Sequence, residues 1–214
     1  MKRALFIVFS LALIPSIAPA QQSVDRQNEK WNYQGEVFAS IGWGRLWHGD
    51  DSLGGGLDLG GGFGLRPFSG RLQGLGFELQ FSRLHHEAQH TATHSTSGNA
   101  LTVTGNILYH FGSSRVQPYV AGGIGALRAD HVREGYSEWY TGDPDDPDSW
   151  TYHVEYWSYR VKGTKMAIKI GGGLKAAITP RMSIRPELCI LDTTIGRGYN
   201  WSSLKLFVAL SYHW

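Results

Sequence analysis

The most specific chemical pattern in the chain is H-E-x-x-H at residues 86–90. On a helix, this spacing places two imidazoles one turn apart on the same face, where they bind zinc and leave the glutamate free as a general base. Here the segment falls in an expected loop, and the further His85 beside it raises the chance of an accidental match. We therefore predict that Glu87 has no catalytic role. The candidate metal ligands are His86, His90 and His94.

Other chemical patterns are weaker. Four aspartates between residues 143 and 148 could bind a divalent cation, but the segment lacks the glycine and terminal glutamate of an EF-hand loop. They are Asp143, Asp145, Asp146 and Asp148. The glycine runs at 54–56, 60–62 and 171–173 lack the Lys-Ser/Thr pair of a phosphate-binding loop, and no G-x-S-x-G nucleophile elbow is present. We predict no catalytic residue and no cofactor.

The charge balance excludes a further class of function. The 214 residues carry 20 Lys and Arg against 18 Asp and Glu, a net charge of +2. Because Lys2 and Arg3 stand in the first twenty residues, which contain no acid, the remainder is electrically balanced. A nucleic-acid-binding protein normally shows a basic excess or a basic stripe. We therefore expect no nucleic-acid partner.

The N-terminus predicts export. Two basic residues precede an apolar run at 4–14, and a small-residue A-x-A site ends at Ala20, which is typical of a secretory signal peptide over residues 1–20. We expect residues 21–33 to form a short N-terminal segment outside the cytosol and residues 34–214 to form a single domain. The single Cys189 excludes an intrachain disulfide.

The rest of the chain alternates between apolar and other residues with period two, which indicates strands that have one face in an apolar medium. The clearest case is residues 204–214. The same pattern recurs at residues 37–43, 57–65, 75–81, 101–111, 166–174 and 184–190. Residues 118–130 form one more strand, too rich in Gly and Ala for its faces to be assigned. The total is eight strands.

The connections between these strands fall into two classes. Short turns are expected at 67–73, 112–117 and 179–181, and longer polar loops at 47–52, 85–98, 131–158 and 193–201. In an up-and-down meander, all the short turns lie at one end and all the long loops at the other. Outer-membrane barrels show this asymmetry, with short periplasmic turns and long external loops.

The inner faces separate a membrane barrel from a soluble one. Charged residues occupy the positions that alternate with the apolar ones, so lipid lies outside and a polar lumen inside. The predicted interior charges are Glu36, Asp58, Arg66, Glu78, Lys169, Lys175, Arg185, Glu187 and Lys205, joined by Gln80, Asn106 and His110. The five basic and four acidic groups are expected to pair, because an unpaired desolvated charge is costly.

The segment 118–125 (P-Y-V-A-G-G-I-G), the turn 179–181 leading into 183–188, and the alternating end at Trp214 together resemble a known family. The chain is similar to the small eight-stranded outer-membrane β-barrel proteins of Gram-negative bacteria, such as the OmpA transmembrane domain and the OmpX-type barrels. The resemblance implies an all-β, antiparallel, up-and-down transmembrane barrel in the outer membrane, in contact with outer-membrane lipids and lipopolysaccharide. It also implies that the assembly machinery recognises the final strand through Val208, Leu210, Tyr212 and Trp214.

The family contains proteins of several functions, so three functions stay open. We expect a non-enzymatic barrel with a structural or surface-interaction role, in which external loops contact an extracellular ligand. The alternatives are a narrow ion or small-solute pore and an outer-membrane lipid-modifying enzyme. A cluster of aromatic residues serves either as an interfacial girdle, which we favour, or as a contact surface. It comprises Tyr136, Trp139, Tyr140, Trp150, Tyr152, Tyr156, Trp157 and Tyr159.

Overall fold

Eight antiparallel strands form a closed barrel in which each strand pairs with its neighbours in the chain and the last pairs with the first. The computed structural model describes residues 33–49, 51–90, 94–112, 114–143, 146–193 and 200–214. The strands are β1 (Gly35–His48), β2 (Asp51–Leu65), β3 (Leu75–His90), β4 (His94–His110), β5 (Val116–Thr141), β6 (Thr151–Thr179), β7 (Met182–Asp192) and β8 (Trp201–His213). The predicted eight-stranded up-and-down barrel is confirmed. The predicted signal peptide lies outside the described residues.

Alternation along each strand separates the two faces of the wall. In β8, Leu206, Val208 and Leu210 point outward and are exposed, whereas Phe207 and Ala209 between them are buried in the barrel. The outward apolar side chains form a continuous belt around the wall, which we call the apolar belt. Within the described residues, no helix has the length and apolarity needed to cross a membrane.

The structure also assigns the faces of the glycine-rich strand β5. Its odd-numbered residues Tyr119, Ala121 and Leu127 are buried inside the barrel, and its even-numbered Val120 and Ile124 are exposed on the belt.

Ring closure depends on backbone hydrogen bonds between the two terminal strands. The register runs from Glu36 opposite His213 to His48 opposite Trp201. Beyond this ladder, the Trp214 carbonyl accepts from the Gln34 amide at 3.2 Å, and the Trp214 amide donates to the Gly35 carbonyl at 3.1 Å. No strand edge is therefore left open where β8 meets β1, which a strand in hydrocarbon requires.

The hairpins at the outer end are much longer than the sequence predicts. All 26 residues of β5 pair with β6, from Val116 opposite Ala176 to Thr141 opposite Thr151. The predicted loop 131–158 is therefore wrong for most of its length, since only 142–150 connects the strands. Alternation fails as a signal there because a strand that projects into water needs no apolar outward face.

Two other expected loops are also mostly strand. Residues 85–98 continue β3 to His90 and begin β4 at His94, and residues 47–52 contain the end of β1 and the start of β2. The short turns at the other end lie where the sequence predicts them: β2 ends at Leu65 before β3, and β6 ends at Thr179 before β7. Three of the four predicted outer loops are thus mostly strand, and most of the fourth, 193–201, lies outside the described residues.

The interior is polar toward the short-turn end and apolar toward the outer end. Aliphatic and aromatic side chains from all eight strands pack across the lumen there and form an apolar plug. It contains Leu46, Leu53, Leu84, Ala100, Leu127, Ala129, Ala167, Cys189, Leu191, Trp201 and Phe207. The predicted polar lumen therefore occupies only part of the interior. Cys189 packs in the plug as a small apolar group.

Glycines on the inner wall permit close packing between strands. A Cβ atom at Gly125 would lie 1.9 Å from the Val103 carbonyl oxygen and 2.7 Å from the Thr104 Cα atom, both backbone atoms that cannot rotate away. Gly122, three residues earlier on the same strand, has nothing within 4 Å of that position. Gly122 faces outward, so the two glycines compare an open position with a crowded inward one on the same strand.

We expect Gly125→Ala to lower the free energy of unfolding by about 1–3 kcal/mol, because the added methyl group forces β4 and β5 apart. Gly122→Ala should leave stability unchanged or slightly increased, since it only reduces the freedom of the unfolded chain. Denaturant unfolding of the detergent-refolded variants, followed by tryptophan fluorescence, measures both. Equal unfolding midpoints for the two variants would contradict the close approach of β4 and β5.

Candidate functional site

All nine charged residues that the sequence places inside the barrel are buried there. The four carboxylates each lie in an ion pair. Lys175 pairs with Glu36, Arg185 with Glu78 at 2.5 Å, Lys169 with Glu187 at 2.6 Å, and Lys205 with Asp58 at 3.2 Å. Arg66, the fifth cation, donates to the Gln117 amide oxygen at 3.2 Å and stacks over the Tyr33 ring.

Three of the four pairs connect strands that are not neighbours in the ring, whereas Lys169 and Glu187 lie on the adjacent strands β6 and β7. Arg185 on β7 reaches Glu78 on β3, across the lumen, and Lys205 on β8 reaches Asp58 on β2. The predicted inward amides take part as well: Asn106 donates to Glu78 at 3.1 Å, and Gln80 accepts from Lys169 at 2.5 Å. The interior charges thus brace opposite walls.

Glu187 stands at the centre of this network. It accepts a hydrogen bond from the Tyr119 hydroxyl at 2.6 Å in addition to its pair with Lys169, and Arg185 lies 3.8 Å away. Lys205 pairs with Asp58 and takes no part in the contacts of Glu187. The Tyr119 contact was missed because the faces of β5 could not be assigned from sequence.

Little space remains between the ion pairs and the apolar plug. The cavity lined by Lys169, Lys205, Cys189 and Phe207 holds about 10 Å³, which is roughly the room of one water molecule. A path for ions would have to pass both this layer and the apolar plug above it.

The H-E-x-x-H segment lies on strand β3 and not on a helix or in a loop. In a strand, residues four apart are separated by roughly 13 Å, too far for two imidazoles to share one metal ion. The side chains of Glu87, His90 and His94 lie outside the described residues. Within the described part of the chain, no three His, Cys, Asp or Glu side chains are placed to hold a metal ion.

His86 instead points inward and joins two histidines from other strands. Its ring centroid lies 6.3 Å from that of His131, which lies 6.1 Å from that of His48. Burial, together with the neighbouring His86 and His48, lowers the pKa of His131 to about 4. This ring is therefore neutral at pH 7 and packs above the apolar plug. Sequence spacing could not reveal the group because its members are far apart in the chain.

A serine and a histidine that the sequence did not single out meet near the short-turn end. The Ser183 hydroxyl lies 2.8 Å from the His213 Nε2 atom, and Glu36 lies 3.8 Å from the Nδ1 atom of the same ring. This is the order of groups in a hydrolytic triad. Both Ser183 and His213 are buried, however, and neither lines the cavity above the ion pairs or the groove described below. The Ser183 hydroxyl is therefore not exposed to an acyl group in the lipid.

The aspartate-rich loop is held by hydrogen bonds of its own. The Asp143 amide donates to the Ser149 hydroxyl at 2.8 Å, and the Asp148 amide donates to the Asp146 carboxylate at 3.1 Å. Asp145 lies outside the described residues. The Asp146 carboxylate therefore serves as a turn acceptor.

The aromatic cluster lies on the projecting part of the β5–β6 hairpin. On β5 the apolar belt ends at Ala126, and the next outward residue, Arg128, is paired with Thr164. The pair Thr141 and Thr151 lies thirteen steps further out, roughly 40 Å along the strands. We call residues 135–158 the outer ribbon. This distance favours a contact surface over an interfacial girdle, because a girdle lies directly beside the belt.

One face of the outer ribbon carries clustered rings. The Tyr140 ring lies 5.1 Å from that of Tyr152 and 6.3 Å from that of Trp150, and Tyr136 lies 6.2 Å from Tyr156. Tyr156 is the most exposed of them, at 81% of its surface. A hydrogen bond to Glu138 raises the pKa of Tyr152 to about 12, so this hydroxyl stays protonated.

The family follows from comparison with known proteins. A model of the outer membrane protein beta-barrel domain matches residues 8–206. The chain belongs to this family. It is an outer-membrane protein, as the closed barrel with an apolar outer face requires. Comparison with curated proteins finds no match.

Solved structures share the fold at low sequence identity. Neisserial surface protein A is 15% identical with a TM-score of 0.60, covering 84% of this chain and 97% of that one. Ail of Yersinia pestis, in complex with the heparin analogue sucrose octasulfate, is 14% identical with a TM-score of 0.47, covering 84% and 99%. The N-terminal barrel of Pseudomonas aeruginosa OprF is 17% identical with a TM-score of 0.43, covering 84% and 98%.

The ion-pair network generates a prediction. Glu187→Leu should lower the free energy of unfolding by about 3–5 kcal/mol, because it leaves Lys169 buried without its carboxylate. The double variant Lys169→Met, Glu187→Leu should recover most of this loss, since the unpaired charge is then gone. Asp130→Asn, which breaks an exposed pair with Arg160, is the control and should leave the midpoint unchanged. Denaturant unfolding in detergent checks all three, and an unaltered midpoint for Glu187→Leu would show that water reaches the pair.

Proposed function

We propose that the protein is a non-enzymatic surface protein that binds a partner protein outside the cell through its outer ribbon. The observation that carries the proposal is the position of the ribbon: the fold extends two paired strands roughly 40 Å past the end of the apolar belt. An extension of this length adds nothing to insertion in the membrane.

The side chains of the outer ribbon support a protein partner. Seven of its residues are Tyr or Trp, interspersed with Ser and Thr. Tyrosine and tryptophan dominate the centres of protein interfaces because they supply large, rigid contact area at low entropic cost. A solvent-exposed group of such rings on a soluble surface is otherwise unfavourable.

The charge of the ribbon indicates which partners fit. Residues 135–158 carry six carboxylates and no Lys or Arg. The outer leaflet is itself anionic, so repulsion holds the ribbon away from the lipid surface. A partner that presents basic side chains around an apolar centre complements this surface and is drawn to it electrostatically.

The interior supports this choice over the two alternatives. The apolar plug and the nearly filled ion-paired layer below it argue against a function as a pore, since ions would have to cross dry, apolar surroundings. The burial of Ser183 and His213 argues against a function as a lipid-modifying enzyme, because such an enzyme must present its nucleophile to an acyl chain.

The ribbon generates a prediction for binding. Cells that display the wild-type protein should capture basic proteins from a panel of purified proteins graded by isoelectric point, and capture should weaken as salt is added. Replacing residues 136–156 by Asn-Gly, a two-residue hairpin turn, should abolish capture. Tyr140→Thr with Tyr152→Thr should reduce it by about tenfold or more while keeping strand propensity.

The control removes the same number of rings elsewhere. Tyr109 and Phe111 form a ring pair, also 5.1 Å apart, at the opposite end of the barrel. Tyr109→Thr with Phe111→Thr should leave capture unchanged at equal surface display. Capture by the shortened hairpin at the wild-type level would exclude the ribbon as the binding surface.

We also propose that the final strand is the signal for assembly. Val208, Leu210 and Tyr212 are exposed on its outer face, followed by Trp214. Deleting Trp214 should strongly reduce the amount of barrel in the outer membrane, with degradation in the periplasm, while stability after refolding in detergent changes little because the β1–β8 ladder remains. Fractionation of cells and denaturant unfolding give the two measurements. Wild-type amounts of truncated protein in the outer membrane would refute the signal.

A further inference from the structure

A group of basic residues lies on the outward face of the wall just beyond the apolar belt. On β3 the outward residues Phe77, Leu79 and Phe81 are followed by Arg83. On β5 the belt is followed by Arg128, and on β6 it is followed by Thr164, Lys162 and Arg160. These positions stand beside the headgroups of the outer leaflet when the belt lies in hydrocarbon.

Hydrogen bonds within the wall hold two of these side chains in place. Arg83 donates its Nε and Nη2 protons to the Asn99 side-chain oxygen, at 3.2 and 3.1 Å, and His85 lies 3.1 Å from the same oxygen. Arg160 donates to both carboxylate oxygens of Asp130, at 2.6 and 2.8 Å. The hydrogen bond from Arg160 lowers the pKa of the Asp130 carboxyl, which therefore stays ionised.

Arg128 stands between these two fixed groups. Among the side chains that the structure describes, none accepts a hydrogen bond from its guanidinium, so its donors are available to a ligand. Four positive side chains, including Lys162, face the single carboxylate of Asp130, which leaves a net of three positive charges on this part of the wall. The Asp130 carboxylate would repel an anion, but both of its oxygens are occupied by Arg160.

The group forms a groove and is confined to one side of the barrel. Arg83, Arg128 and Arg160 line a groove of about 600 Å³, whose floor includes the apolar side chains Leu101 and Val132. Elsewhere on the described wall, the outward residues that follow the belt on β1, β7 and β8 are Arg45, Asp192 and Ser202. Of these three residues only Arg45 is basic, and its side chain already donates a hydrogen bond to the Ser52 hydroxyl.

We propose that this groove binds a phosphate group of an outer-leaflet lipid, whose acyl chains lie against the apolar belt below. Guanidinium groups match the geometry and charge of a phosphate and can bind it with two parallel hydrogen bonds. The belt beneath the groove offers the surface that acyl chains require, and a soluble anion would make no use of it. The lipid that fits is the phosphorylated glycolipid of the outer leaflet, lipid A. This inference does not depend on the function of the ribbon.

The test measures lipid binding by native mass spectrometry of the refolded protein in a zwitterionic detergent. Three probes are compared at equal concentration: bisphosphorylated lipid A, monophosphorylated lipid A and inorganic phosphate. The variant combines Arg83→Gln, Arg128→Gln and Arg160→Gln. Its affinity for bisphosphorylated lipid A should fall on the order of a hundredfold, since each basic group beside an anionic lipid surface contributes about a fivefold factor. Monophosphorylated lipid A should bind more weakly than the bisphosphorylated form.

The control removes equal charge at the other end of the barrel. Arg71, Arg115 and Arg181 are exposed in the short turns, so Arg71→Gln, Arg115→Gln and Arg181→Gln together should leave the affinity within about twofold of wild type. Heat-modifiable gel mobility verifies that each variant is folded. An equal loss in both triple variants, or no loss in either, would overturn the site. Binding of inorganic phosphate as tight as that of lipid A would overturn the lipid as its ligand.

Discussion

Within a bilayer, every backbone N–H and C=O group must find its partner inside the protein, and this constraint organises the whole molecule. The chain meets it by pairing β8 with β1, and the bonds between Trp214 and Gly35 extend that ladder to the last residue. Closure with eight strands leaves an interior just wide enough for side chains. Close approach of strands then requires glycine at positions such as Gly125, where any Cβ atom meets backbone.

The narrow interior in turn determines where charge can be placed. Carboxylates and cations that would be costly alone are brought within ion-pair distance of each other across the lumen, as Arg185 and Glu78 are. The apolar plug lies between these pairs and the outer solvent. Charge inside the wall is therefore committed to holding the barrel together. Both interactions proposed above accordingly fall on the outward face and on the projecting hairpin.

Sequence patterns identified the parts of the structure that the bilayer dictates. The alternation at residues 204–214 gave β8 its correct faces, and the same parity placed Glu187 and Lys169 inside before their contact was known. The strands of the outer ribbon were missed because they lie in water. Neither face of such a strand has to be apolar, so residues such as Tyr136 and Tyr156 show no alternation that would predict a strand. The apolar plug was missed for another reason: Leu84 and Leu127 are inward leucines, whose depth in the lumen depends on the stagger of the strands.

The side-chain groups that are most suggestive of chemistry could be found only from distances in three dimensions. His86 meets His131 from another strand, and Arg83 and Arg128 lie on either side of Leu101, which is paired with Arg83 across β3–β4 and with Arg128 across β4–β5. Spacing along one strand contains none of this information. In the H-E-x-x-H segment, the spacing was informative only under the assumption of a helix, which the ladder between β3 and β4 excludes.

The apolar plug has a consequence for the cell that carries the protein. An outer membrane is a permeability barrier, and each open barrel inserted into it is a leak whose total conductance grows with copy number. Leu46, Leu84 and Trp201 fill the lumen of this barrel, and on the function proposed above we expect it to add no such leak. The number of copies in the membrane would then be set by the surface contacts and not by the permeability that each copy adds.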